Sequence, residues 1–130
     1  MATINHFSQL DAWKKSHELR LQILQLLPDF PQTYQFGLCA QLQRSAISVS
    51  SNIAEGFGRK SDKEKSHFLN SAEGSLTEVQ DQMILCRDLT LLDTNKFTKM
   101  YALSEDVHKL IHGLLRYIRN TNSKLRDTKA

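Results

Sequence analysis

Glycine, proline and cysteine are all scarce in this 130-residue chain, with five, two and two copies. So few turn formers exclude a sandwich or barrel of many short strands. Two cysteines make no disulfide framework and point to reduced thiols. No apolar run approaches the roughly 18 residues of a membrane span. The opening Met1-Ala-Thr-Ile-Asn-His-Phe7 has neither the basic start nor the apolar stretch of a secretory signal. With 40% apolar and 24% charged residues, the composition is that of an ordinary folded protein. A chain of this length buries about two thirds of its unfolded surface and needs no staples. The expectation is one soluble, cytoplasmic domain without membrane contact.

Charge is unevenly placed. Residues 1–88 carry 9 Lys/Arg against 10 Asp/Glu, whereas residues 89–130 carry 8 against 4. Five cations (Arg116, Arg119, Lys124, Arg126 and Lys129) crowd the last stretch beside a single acid, Asp127. A basic end of this kind permits nucleic-acid contact, and it equally suits a solvated helix end.

The hydrophobic period is 3.6 nearly throughout. One stripe joins Ala12, Trp13, Ser16, Leu19, Ile23, Leu26 and Leu27, with Ser8 as the expected N-cap. Pro28 and Pro31 end that helix. A second stripe, Leu38, Leu42, Ala46, Val49 and Ile53, stops at Gly56 and Gly58. The third helix opens with a capping box between Ser61 and Glu64, and its stripe is Leu69, Ala72, Leu76, Val79, Met83 and Cys86. The fourth starts near Asp93 or Thr94 and runs through Phe97, Ser104, Val107, Ile111 and Ile118. Residues 46–53 have strand-like propensity, but the stripe continues on both sides and no partner strand exists, so helix is the reading. The prediction is an all-α, antiparallel up-down four-helix bundle over residues 1–120, followed by a basic tail at 121–130.

Catalytic patterns are missing. His108 and His112 share a helix face, but the sequence signposts neither the glutamate of a zinc-protease motif nor a third ligand. They read as boundary histidines, so no metal and no cofactor is expected. Cys39 and Cys86 sit on or beside apolar stripes, and no serine has a histidine beside it. The chain reads as a non-enzyme. Gly56-Phe-Gly-Arg-Lys-Ser61 fits either a phosphate cradle at a helix start or a plain helix–helix turn. Beside the second apolar stripe runs a polar one: Gln41, Arg44, Ser48, Ser51/Asn52 and Glu55. Its serines, together with Gly56 and the Glu73-Gly74-Ser75 step in the third helix, read as close-packing surfaces, within the bundle or between subunits.

The run Gln41-Leu-Gln-Arg-Ser-Ala-Ile-Ser-Val-Ser-Ser-Asn-Ile-Ala-Glu-Gly-Phe-Gly-Arg59 resembles the hallmark of the bacterial four-helix-bundle family of 23S rRNA intervening-sequence proteins. These are related to the accessory (Avd) proteins of diversity-generating retroelements. Leu10-Asp-Ala-Trp-Lys-Lys15, Phe30-Pro31 and Phe68-Leu-Asn-Ser-Ala-Glu-Gly-Ser-Leu-Thr-Glu78 carry the likeness to about residue 118. Two departures are Ser45-Ala46 for a usual Ala-Ala and Val49-Ser50 for a usual Ile-Pro. The resemblance implies a homo-oligomer, usually a pentamer with a basic surface or channel. In the Avd relatives that assembly binds nucleic acid and a reverse transcriptase. The expected function is electrostatic binding of RNA or DNA, with Arg44, Arg59, Lys60, Lys63, Arg116, Arg119, Lys124 and Arg126 facing phosphates, although Arg44 has Glu73 or Glu78 as alternative partners. The competing expectation is an adaptor that acts by protein–protein contact alone.

Overall fold

The computed structural model describes residues 3–129, with residues 122–129 described by their backbone alone. It contains four α-helices: α1 (Asp11–Leu26), α2 (Ala40–Gly58), α3 (Asp62–Asp88) and α4 (Thr94–Lys129). Each packs on the next and α4 returns to α1, which closes an antiparallel bundle. Residues 46–53 lie wholly within α2, so packing of the apolar stripe overrides their strand propensity.

The core is the four stripes turned inward. Ile53, Ala72, Leu76, Val79, Val107 and Ile111 have no exposed surface, and Ile23, Val49, Met83 and Cys86 have almost none. Ser16 of the first stripe and Ser50, next to Val49 of the second, join them: Ser50 on α2 donates to Ser16 on α1 across 3.0 Å, and Ser16 in turn donates to the Trp13 carbonyl. Both buried hydroxyls are thus hydrogen-bonded, the chain ending on a backbone carbonyl.

Local chemistry at the helix ends departs from the sequence reading in several places. Ser8 does not cap α1. It lies in a 3-10 turn, Phe7–Gln9, capped by His6, and α1 begins after Leu10 without a side-chain cap. The Ser61 hydroxyl accepts from the Glu64 N–H at 3.1 Å, but among the described residues the return bond of a capping box is not made. Instead Lys65 reaches back to donate to the Phe57 carbonyl, so α3 caps the end of α2. At the end of α3, Thr90 N–H bonds Arg87 O and Leu91 N–H bonds Cys86 O, both at 2.9 Å. This is a Schellman closure, and Thr90 holds the left-handed position (φ 58°) usually given to glycine. Between the two prolines and α2 the chain turns through short 3-10 segments and one π-helical turn, Gln35–Cys39. The helical backbone of α4 also continues past Asn120 to Lys129, through the stretch read as a tail. Loss of the apolar stripe ends the core-facing pattern without ending the helix.

Gly56 and Gly58 do not stop α2 by a left-handed turn, since no glycine has a positive φ. Gly56 is buried inside the last turns of α2 because α3 comes so close: a Cβ there would lie 3.2 Å from Phe68 Cβ and 3.4 Å from the Lys65 carbonyl oxygen. Neither atom is the free end of a flexible chain. Gly113, in α4, has nothing within 4 Å of the same added atom. Gly56→Ala is therefore expected to destabilise the bundle by about 1–3 kcal/mol. Gly113→Ala should stabilise it by about 1 kcal/mol, the gain in helix propensity. Urea melts of the two variants check the opposite signs.

Candidate nucleic-acid interface

Burial of Leu69, Ala72, Leu76 and Val79 sets the rotation of α3. Residues 62, 66, 70 and 73, at steps of four, four and three, then fall along one side of that helix. They line an open groove against α4, where His112, Leu115, Arg116, Ile118 and Arg119 form the facing wall. The groove encloses about 690 Å³ and is lined by three fixed cations, Lys63, Arg116 and Arg119, against two carboxylates, Asp62 and Glu73. Ser66 and Asn70 add neutral polar side chains between them. A surface of this make-up suits a phosphodiester backbone: cations for charge, and hydroxyl and amide groups for hydrogen bonds.

The remaining expected phosphate contacts do not converge here. Arg44 is exposed on α2 in a separate shallow depression with Gln43, Ile47 and Ser48. It pairs with neither suggested carboxylate, since Ser45 lies 3.1 Å from Glu78 and Glu73 faces the histidines. Arg59 is held by Glu55 at 3.1 Å and lies over the Phe68 ring, 4.7 Å from its centroid. It closes the turn between α2 and α3 instead of presenting a free charge to the groove. Lys60 is exposed in the same turn. With Arg59 engaged, the Gly56–Ser61 stretch takes the form of a helix–helix turn. The side chains of Lys124 and Arg126 lie outside the described residues.

The small polar residues divide between two roles. Ser48 and Ser75 bring their hydroxyls to 2.8 Å across the α2–α3 contact, and Asn52 donates to the Ser48 carbonyl and hydroxyl at 2.9 and 3.0 Å. With Gly56 these residues pack within the bundle. Gln41, Glu55 and Gly74 stay exposed. Nothing lies within 4 Å of a Cβ added to Gly74, so close packing inside the bundle does not explain that glycine.

The thiols are poorly placed for nucleophilic chemistry. Both cysteines are buried and free, and burial raises their pKa values; Cys86, with Cys39 adding to the effect, is pushed up to about 11. Glu73 meets His108 and His112 across α3 and α4, a convergence the linear sequence does not signpost. Ser66 and Asn70 also went unmarked, although their spacing from Asp62 and Glu73 is a readable helical stripe. What was missing was the face of α4 that lies opposite.

No helix among the described residues is long and apolar enough to cross a membrane. Among curated proteins no sequence matches. A crystal structure of a protein of unknown function from the S23 ribosomal protein family of Bacteroides thetaiotaomicron shares the fold. Its TM-score is 0.75 at 21% identity, over 81% of this chain and 95% of that one. The family model for the 23S rRNA-intervening sequence protein matches residues 8–113. That match takes in the first three stripes, the fourth as far as Ile111, and the α2–α3 turn quoted above, and the chain belongs to the 23S rRNA-intervening sequence protein family.

Proposed function

We propose that this chain is a non-enzymatic, self-associating protein that binds RNA through its phosphates, using the groove between α3 and α4. The observation that carries this reading is the meeting of Lys63, Arg116 and Arg119 along one groove that also offers Ser66 and Asn70. The family's description refers to intervening sequences of 23S rRNA, which favours RNA over DNA as the ligand. Contacts of this kind hold a backbone without reading bases. Self-association, as a pentamer by the resemblance, would repeat the groove around a ring and multiply a modest local charge. A reverse transcriptase as protein partner follows from the Avd likeness alone.

The test is RNA binding at roughly 50 and 200 mM salt, with native mass recorded on the same samples. Three phosphate contacts to a single strand should cost about 20-fold in affinity over that range, and a repeated groove should cost more. Binding indifferent to salt, or absent at the lower concentration, would remove this reading. The adaptor would then stand, with Phe36 and Tyr117, 89% and 70% exposed, as the side chains to test for protein contact.

A further inference from the structure

Where Glu73 and His112 line the basic groove, α3 and α4 bring together three side chains whose chemistry differs from that of a phosphate site. His108 and His112 stand one turn apart on α4, with ring centroids 4.3 Å apart and planes tilted by 37°. Glu73 of α3 points between them, its Oε1 lying 3.6 Å from His108 Nδ1 and 2.5 Å from His112 Nε2. One ligand atom from each residue can be chosen so that all three lie within 4.8 Å of one another. We infer that Glu73, His108 and His112 form a site for a divalent transition-metal cation of the zinc type.

Three observations support the inference. The first is donor identity. Two imidazole nitrogens and one carboxylate oxygen suit Zn²⁺ and its neighbours and do not suit Mg²⁺ or Ca²⁺, which demand oxygen ligands. The second is spacing. Bonds of about 2.0–2.1 Å in tetrahedral array put ligand atoms roughly 3.3 Å apart. The Glu73–His108 separation is already close to that, and the Glu73–His112 hydrogen bond needs only to open as the metal replaces its proton. The third is access. The side chains of His108 and His112 are 42% and 44% exposed and that of Glu73 25%, so the ion has an entry path and a fourth position for water.

The ligands also come from two helices whose relative placement is fixed by the core. Ala72 and Leu76 lie on either side of Glu73 in sequence, Val107 and Ile111 immediately precede His108 and His112, and all four are fully buried. The geometry therefore does not depend on a mobile loop. Arg116, which lines the same groove as Glu73 and His112, opposes a cation, so the imidazole and carboxylate ligands must outweigh its charge.

The experiment uses tag-free, metal-stripped full-length protein titrated with Zn²⁺ in the absence of RNA, so that its result is independent of the proposed RNA binding. The expected result is one Zn²⁺ per chain, a raised melting temperature and no response to Mg²⁺. Glu73→Gln and the His108→Ala/His112→Ala pair should each weaken Zn²⁺ binding by about 100-fold or more, since loss of even an outer partner of a ligand costs about 10- to 100-fold, with the metal-free melting temperature showing that the fold persists. No stoichiometric binding by the wild type, or equal binding by the double histidine variant, would overturn the site.

Discussion

Reversing Lys63, Arg116 and Arg119 to glutamate together should lower RNA affinity by about 100- to 1,000-fold at 50 mM salt and flatten the salt dependence almost to zero. The magnitude follows from counterion release: three neutralised phosphates give a slope near −2, and the electrostatic part of binding grows as that power of dilution. All three side chains are exposed, so their reversal leaves the core untouched. Lys63→Glu even places an acid in the first turn of α3, where the helix dipole welcomes it. Arg44→Glu is the control. Arg44 sits in a different depression on α2, and its reversal should change affinity only a few-fold. If Arg44 alone matched the effect of the triple variant, the contact surface would belong on the outer face of α2, and the α3–α4 groove would lose its claim.

The bundle was legible because the apolar stripes repeat at helical spacing through four long segments, and the buried residues fall where the stripes place them. Even Ser16 and Ser104, polar residues inside apolar stripes, are buried. The departures have two sources, local competition for one turn and partners that lie elsewhere in the fold. Ser8 had the composition of an N-cap, but His6 and Gln9 compete for the same turn and shift the start of α1 to Asp11. Glu64 was expected to complete a capping box, while the helix end that needed a partner was that of α2, and Lys65 supplies it. Eight cations in a sequence also say nothing about which of them face the same way. That depends on the register of α3 against α4, and it sorts Lys63, Arg116 and Arg119 from Arg44 and Arg59. The Glu73–His108–His112 group is the clearest case. Its two histidines are an obvious pair, and their third member lies thirty-five residues before His108 on another helix. Only packing joins them.

That packing rests on a few side chains, and Leu76→Ala is expected to show how much. Leu76 has no exposed surface and sits at the middle of the α3 stripe. Its truncation removes buried methyl groups and leaves a cavity that rigid neighbouring helices cannot refill, at a cost of about 2–5 kcal/mol. Thermal melts should register the loss as a fall of about 10 °C or more. Leu85, on the same helix but 45% exposed, is the matched comparison, and Leu85→Ala should cost no more than about 0.5 kcal/mol. The difference between the two reads out the rotation of α3. A helix turned so that Leu76 faces the core necessarily carries residues 62, 66, 70 and 73 to the side that meets α4. The same rotation therefore fixes the basic groove and the carboxylate between the histidines. Equal costs at both positions would mean that Leu85 is covered by another subunit, since no single helix face can bury both. Native mass measured on the Leu85 variant would then show the oligomer weakened along with the fold.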